Sequence, residues 1–208
     1  MKRITNAIKN SIPLLTMWEE RLVCFMNKKA LSLIIFIMIL TFALCGCGAN
    51  NGGSSEENEF PDLLSFTAQT LDGGEYTARD FAGADLTMIN IWGTYCGPCL
   101  REMPELAQLA KSLPENVRMI TYCIDAADPT ATAQEILDDA GFEGVTLISG
   151  DGDLEKLFQT LQYVPTTVFV DSEGRQAGHA VIGSPGDVAE AYTNAINDAL
   201  SAIGKDAI

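Results

Sequence analysis

The stretch WGTYCGPC, residues 92–99, decides the fold because it joins an apolar run to a helical pattern. The run Leu86–Trp92 is mostly apolar and partly β-branched, which is typical of a buried central strand. After Cys99, apolar residues recur at spacings of three and four, which predicts an amphipathic helix. The sequence therefore places Cys96 at the N-terminus of a helix and Cys99 one turn further in.

A thiol at a helix N-terminus ionises readily, because free N–H groups and the positive end of the helix dipole favour an anion. Pro98 suits the first turn, where its missing N–H is not needed. Cys99 is near enough to attack a disulfide formed at Cys96 and release the partner. We therefore predict thiol–disulfide exchange in which Cys96 attacks and Cys99 resolves, with the Cys96–Cys99 disulfide as the redox centre and no other cofactor.

Two other interpretations of the cysteine pair are a zinc site and a purely structural disulfide. Zinc would require a second ligand pair, whereas the domain offers only Cys123 and the single histidine, His179. We accordingly expect no metal. A structural disulfide fits poorly with a position between a buried strand and a helix.

Residues 90–99, NIWGTYCGPC, followed by EMPEL at 102–106, resemble the TlpA/ResA-like branch of the thioredoxin superfamily. The resemblance extends from about Phe60 to Ile203. It implies an α/β thioredoxin fold, a mixed β-sheet flanked by helices with an N-terminal β-hairpin, and thiol–disulfide oxidoreductase activity outside the cytoplasm. Tyr95 stands where the family usually has Trp, so an aromatic residue is kept. We expect Trp92 and Tyr95 to form an apolar wall that partners contact.

The resemblance also assigns roles around Pro165. In this superfamily the matching proline is cis and faces the cysteine pair, and the residue before it, here Val164, lends its backbone to an extended peptide. The alternative is an ordinary trans proline at a strand start. The strand–turn–strand pattern that follows favours the cis form.

Family members of the ResA type often carry a buried acid near the cysteine pair, which we expect just after the strand Val117–Ile124. An alanine stands at or next to the expected position, and Asp125 is the candidate substitute, as proton acceptor for Cys99; the alternative is a solvated carboxylate at a strand end. Cys123, late in the same strand, is either a structural thiol or a third redox cysteine. Alternation along the strand does not decide, because both faces of the sheet are covered.

The rest of the domain alternates between strands and helices. Asp72-Gly73-Gly74 predicts a hairpin turn, and a Pro-containing start at Asp128 predicts a second helix. We expect Phe158 to point inward from a short helix and Ser184 to cap the last helix. Further strands are predicted at 145–148, 167–171 and 176–182.

The N-terminal part carries targeting signals. Lys28 and Lys29 precede an apolar run of signal-peptide length, and the run ends in LCGC, which resembles a bacterial lipobox. We predict a signal peptide at 1–46, with a true start at Met26, lipidation of Cys47 and a flexible polar tether over 47–59. The thioredoxin-like domain then spans 60–208. An uncleaved signal anchor is the alternative; in both cases the domain faces outward.

The chain has a formal net charge of −15, and six of its 13 Lys and Arg residues lie within the first 46 positions. The domain itself is therefore strongly acidic, which argues against nucleic acid and against docking on anionic lipid. We expect a lipid-anchored monomer on the extracytoplasmic face of the bacterial cell membrane.

The expected activity is reduction of disulfides in exported proteins, with electrons from a membrane thiol carrier of the CcdA/DsbD type, as the resemblance implies. Gly97 and Pro98 add no charge between the cysteines and match thioredoxin, which favours a reductase. A disulfide oxidase and a copper chaperone using His179 are the alternatives. A peroxidase would need a Pro–Thr frame before its cysteine, and Thr94 lies at the wrong offset.

Overall fold

The computed structural model describes residues 60–126 and 132–208. The predicted signal peptide, lipidated Cys47, the tether and the helix start at Asp128 lie outside these residues. Within the described ranges, no helix combines the length and apolar character needed to cross a membrane.

The described chain alternates between strands and helices. A hairpin of β1 (Thr67–Thr70) and β2 (Glu75–Thr77) is followed by a 3-10 helix, Ala78–Gly83, and then by the central strand β3 (Leu86–Trp92). The remaining elements, in chain order, are α1 (Gly97–Ser112), β4 (Val117–Cys123), α2 (Ala133–Ala140), β5 (Thr146–Gly150), α3 (Gly152–Thr160), β6 (Thr166–Asp171), β7 (Val181–Ile182) and α4 (Val188–Ala202).

These strands form one mixed sheet in the order β2-β1-β5-β4-β3-β6-β7. Strand β3 pairs in parallel with β4 and antiparallel with β6, so its backbone is hydrogen-bonded on both sides. The hairpin joins the other end of the sheet, where β1 runs antiparallel to β5. The predicted α/β thioredoxin fold with an N-terminal hairpin is confirmed.

Alternate side chains of β3 enter two separate cores. Met88 and Trp92 pack on one face against residues of α1, α2 and α4. Ile89 and Ile91 pack on the other face with residues of α3, the 3-10 helix and the hairpin. Every residue of β3 is buried, because a central strand covered on both faces exposes neither side.

Three sequence predictions about local structure are wrong. Phe158 is 44% exposed, because Leu154 and Leu157 fill the inward face of α3. The last predicted strand is reduced to Val181–Ile182. Asp187, rather than Ser184, caps α4: its carboxylate accepts a 3.0 Å hydrogen bond from the N–H of Glu190, the side-chain geometry typical of an N-cap.

The core on the α3 side gives a prediction about stability. Ile120 is fully buried there, so Ile120→Ala should lower the free energy of unfolding by about 2–5 kcal/mol, because burial is lost and a cavity remains. Urea unfolding of the oxidised protein measures this. Leu64→Ala is the matched control: Leu64 is 52% exposed, so a comparable loss there would contradict the assignment of the core.

Candidate active site

The candidate site lies where β3 ends and α1 begins. After Trp92 the chain turns, and the N–H of Cys96 donates to the carbonyl of Gly93 at 3.0 Å. Cys96 is the N-cap of α1, and its sulfur accepts a 3.3 Å hydrogen bond from the N–H of Cys99. Pro98 lies in the first turn, where no partner for an N–H is needed. The predicted placement of both cysteines is confirmed.

The two cysteines form a disulfide with their Cα atoms 5.3 Å apart. Cys96 is 6% exposed and Cys99 is fully buried. Cys96 is therefore less open than the sequence suggested, but it is the more exposed of the two cysteines. Gly97 and Pro98, between them, are exposed, so an incoming thiol meets Cys96 first.

The segment before β6, which contains Val164 and Pro165, lies next to the disulfide. The Val164–Pro165 peptide bond is cis, as the resemblance implied. The carbonyl oxygen of Val164 lies 3.5 Å from the sulfur of Cys96. An extended chain laid along this segment would therefore run beside the sulfur of Cys96.

The two aromatic side chains of the predicted apolar wall, Trp92 and Tyr95, differ in their exposure to solvent. Tyr95 is 70% exposed, but Trp92 is fully buried in the core, so the prediction that Trp92 contacts partners is wrong. Tyr95 instead borders a groove of about 380 Å³ beside the cis-proline segment. Its other lining residues are Ile124, Phe158, Gln159, Leu161, Gln162, Tyr163 and Val164.

Asp125 holds the loop that leads into Cys96. Its carboxylate accepts hydrogen bonds from the N–H of Thr94 at 2.9 Å and from the hydroxyl of Thr94. It also accepts one from the thiol of Cys123 at 3.2 Å. Partial burial acts to raise the pKa of Asp125, but the bonds from Thr94 and Cys123 outweigh it and leave the pKa below its ordinary value. The carboxylate is therefore kept ionised.

Cys123 lies in the same core as the disulfide and is fully buried. It is a free thiol. Burial, followed by the hydrogen bond to Asp125, raises its pKa to about 12. Because the thiolate is the reactive form, such a thiol is nearly inert at neutral pH, as expected of a structural cysteine.

Glu102 is the acid that the sequence analysis missed. It is 1% exposed and follows Cys99 by one helical turn on α1. Asn90 and Tyr192 donate to its Oε1 atom at 3.3 Å and 3.4 Å. Burial raises the pKa of Glu102 above its ordinary value. Its position among the inward residues of an amphipathic helix, between Cys99 and Leu106, was the signal that would have found it.

Across residues 60–126 and 132–208, no three His, Cys, Asp or Glu side chains come together in a way that could hold a metal ion.

The model of the Redoxin family matches residues 55–194, more than half of the chain. The chain belongs to the Redoxin family. Among named relatives of this redoxin, the thiol-disulfide oxidoreductase ResA of Bacillus cereus is 24% identical over 154 residues, 72% of this chain and 87% of the relative. The thiol:disulfide interchange protein DsbE of Pseudomonas aeruginosa is 29% identical over 167 residues, 75% of this chain and 86% of the relative.

Solved structures agree on the fold of this redoxin. A DsbF homologue from Corynebacterium diphtheriae superposes with a TM-score of 0.53 at 20% identity, over 72% of this chain and 95% of that one. The Redoxin match and the ResA relative confirm the predicted membership of the TlpA/ResA-like branch of the thioredoxin superfamily.

The thiol of Cys123 gives a prediction about reactivity. With a pKa of about 12, only about one molecule in 10⁴ carries the thiolate at pH 8. Iodoacetamide should therefore leave Cys123 unmodified in the folded oxidised protein and modify it fully once urea unfolds the chain. Peptide mapping by mass spectrometry reads this residue separately from the other cysteines. Rapid labelling in the folded protein would contradict a structural role.

Proposed function

We propose that this redoxin is a membrane-tethered, extracytoplasmic thiol–disulfide oxidoreductase that reduces disulfides in exported proteins. One observation carries the proposal: the Cys96–Cys99 disulfide caps a helix with only Cys96 at the surface, beside the cis Val164–Pro165 segment. The names of the ResA and DsbE relatives support the same chemistry. No cofactor beyond the cysteine pair is required.

The reaction follows from the placement of the two sulfurs. In the reduced protein the Cys96 thiolate, favoured by the helix N-terminus, attacks a client disulfide. A Cys96–client disulfide forms and one client thiolate leaves. Cys99 then attacks the sulfur of Cys96, releases the second client thiol and closes the disulfide. Two electrons and two protons pass to the client.

The resolving step requires Cys99 to lose a proton inside the core. Glu102 follows Cys99 by three residues on α1, so the two side chains share one face of the helix. Burial raises the pKa of Glu102, which makes its carboxylate a stronger base than an exposed one. We assign the proton-acceptor role to Glu102. Asp125, whose pKa is lowered, serves to fix Thr94 ahead of Cys96.

Clients dock in the groove bordered by Tyr95. Phe158 and Tyr163 add two further aromatic rings, 44% and 67% exposed, and none of the described residues that line this groove is charged. Exposed aromatic side chains beside a site are typical of binding hot spots. Because the chain is otherwise strongly acidic, the groove suits apolar segments around a client cysteine and disfavours acidic ones.

The direction of electron flow is proposed from residues 97–98. Gly97 and Pro98 place no charge between the cysteines, as in thioredoxin. We expect electrons to come from a membrane thiol carrier of the CcdA/DsbD type. Lipidation of Cys47 would hold the domain near this donor on the extracytoplasmic face of the membrane.

Activity and redox potential test the function together. The purified protein should catalyse reduction of insulin by dithiothreitol, with a potential nearer roughly −270 mV, as in thioredoxin, than roughly −120 mV, as in DsbA. Equilibration with glutathione buffers measures the potential. Cys96→Ser and Cys99→Ser should both abolish turnover, whereas Cys123→Ser should keep it. A strongly oxidising value would reassign the protein as an oxidase.

Expression of single-substitution cysteine variants in the native host distinguishes the roles of Cys96 and Cys99. Cys99→Ser removes resolution but not attack, so this variant should accumulate mixed disulfides through Cys96, whose captured partners identify the clients. Cys96→Ser is the matched control and should capture none. Capture by Cys96→Ser alone would exchange the roles of nucleophile and resolver.

The anchor has its own test. Mass spectrometry of membrane-extracted protein should find a mature chain that begins at a diacylated Cys47, because LCGC resembles a lipobox. Cys47→Ala should release or mislocalise the protein. An intact peptide across residues 44–48 as the major form would contradict lipidation.

A further inference from the structure

A polar cluster is enclosed in the core on the α1 side of the sheet. It consists of Asn90 on β3, Glu102 on α1, Thr167 on β6 and Tyr192 on α4, all between 0% and 1% exposed. Their neighbours in this core are apolar side chains such as Met103 and Ile196. Buried polar groups are costly unless they are hydrogen-bonded. The hydrogen bonds within the cluster therefore show which of its polar atoms are satisfied.

The bonds of the cluster converge on one atom. Thr167 Oγ1 donates to the hydroxyl oxygen of Tyr192 at 3.2 Å, and that hydroxyl donates to Glu102 Oε1 at 3.4 Å. Asn90 Nδ2 donates both to Glu102 Oε1, at 3.3 Å, and to Thr167 Oγ1, at 3.0 Å. The Thr167 bond thus leaves the Tyr192 proton pointing at the carboxylate.

The second carboxylate oxygen of Glu102, Oε2, has a different environment from Oε1. Within the part of the chain that the structure describes, Glu102 Oε2 is buried and has no hydrogen-bond partner. Three side chains act on this carboxyl as donors, and two of them, Asn90 and Tyr192, reach Oε1, so Oε2 is the less satisfied oxygen. Oε2 is therefore the oxygen available to receive a proton.

Opposing influences act on Glu102. Burial raises the pKa of its carboxyl, and the charge of Glu105 on the same helix acts in the same direction. Hydrogen bonds from Ser184, Asn90 and Tyr192 lower it. Burial, and then the charge of Glu102, raises the pKa of Tyr192 well above its ordinary value, so its hydroxyl remains a neutral donor throughout the physiological range.

We propose that Tyr192 is a positioning residue for the redox reaction: its hydroxyl, oriented by Thr167, stabilises ionised Glu102 and so sets the lowest pH at which Cys99 can be deprotonated. The inference rests on the proposed function. When the Cys99 S–H bond breaks, the proton passes to Glu102 Oε2, and the Cys99 sulfur bonds to Cys96 while the client thiolate leaves. The proton then returns to solvent or to the released thiolate.

A two-step thiol assay isolates this event. Reduced protein mixed with 5,5′-dithiobis(2-nitrobenzoate) releases one coloured thiolate when Cys96 attacks and a second when Cys99 resolves. Cys99→Ser keeps every other cysteine and should show no second release, so it defines the background. The rate of the second release is measured against pH in each variant.

Tyr192→Phe removes the donor while preserving the ring. The second release should slow about tenfold at the acidic end of the profile, the factor that one charge-assisted hydrogen bond represents, and its acidic limb should move to higher pH. The first release should not change, because Cys96 does not depend on Glu102. Glu102→Gln should lose the acidic limb and resolve slowly at every pH.

Tyr76→Phe is the matched control. Tyr76 is also buried, but it lies in the opposite core, and its hydroxyl has no partner within the described residues. Its removal should leave both releases at the wild-type rate. A similar slowing in Tyr76→Phe and Tyr192→Phe would assign the effect to general loosening of the core and overturn the proposal.

A spectroscopic titration gives a second readout that requires no exchange reaction. Infrared difference spectra of the oxidised protein should show one protonated-carboxyl band that is absent in Glu102→Gln and that persists to higher pH in Tyr192→Phe. A wild-type profile and an unshifted band in Tyr192→Phe would overturn the inference. Failure of wild-type protein to give any second release would instead overturn the proposed function itself.

Discussion

The structure depends on the confinement of β3. This strand is hydrogen-bonded to β4 on one side and to β6 on the other, and both of its faces are covered. A strand held in this way ends at a fixed point, so the residues that follow it emerge at a defined place on the edge of the sheet. Cys96 inherits its position from that constraint, because only the turn at Gly93 separates it from the strand.

Burial then divides the two sulfurs. The N-cap position leaves Cys96 with a small exposed surface, whereas the next turn of α1 carries Cys99 into the core. The cis-proline segment, which leads into β6, reaches the same sulfur, and β6 flanks β3 on the side opposite β4. An accessible attacking thiol and a shielded resolving thiol thus follow from the packing of one helix on one strand.

Asp125 and Glu102, the two carboxyl groups near the cysteine pair, lie in environments that shift their pKa values in opposite directions. Asp125, at the edge of the core, is surrounded by donors from Thr94 and Cys123, so its pKa falls and its charge holds a loop in place. Glu102, inside the core, is dominated by burial, so its pKa rises. The same functional group is therefore suited to fixing geometry in one place and to accepting a proton in the other.

The strand–helix junction, the cysteine placement, the α/β class and the hairpin could all be predicted from the sequence, because these features depend on local periodicity and on turn residues such as Asp72-Gly73-Gly74. The sequence alone misjudged features that depend on neighbours distant in the chain: Trp92 reads as a surface aromatic, yet α1 and α4 cover it. The pairing of Glu102 with Tyr192, 90 residues later, left no local pattern. Helical periodicity points Glu102 inward, but its burial also required the other elements of this core to pack over that face of α1, because burial is a property of the packed elements and not of the residues that form them.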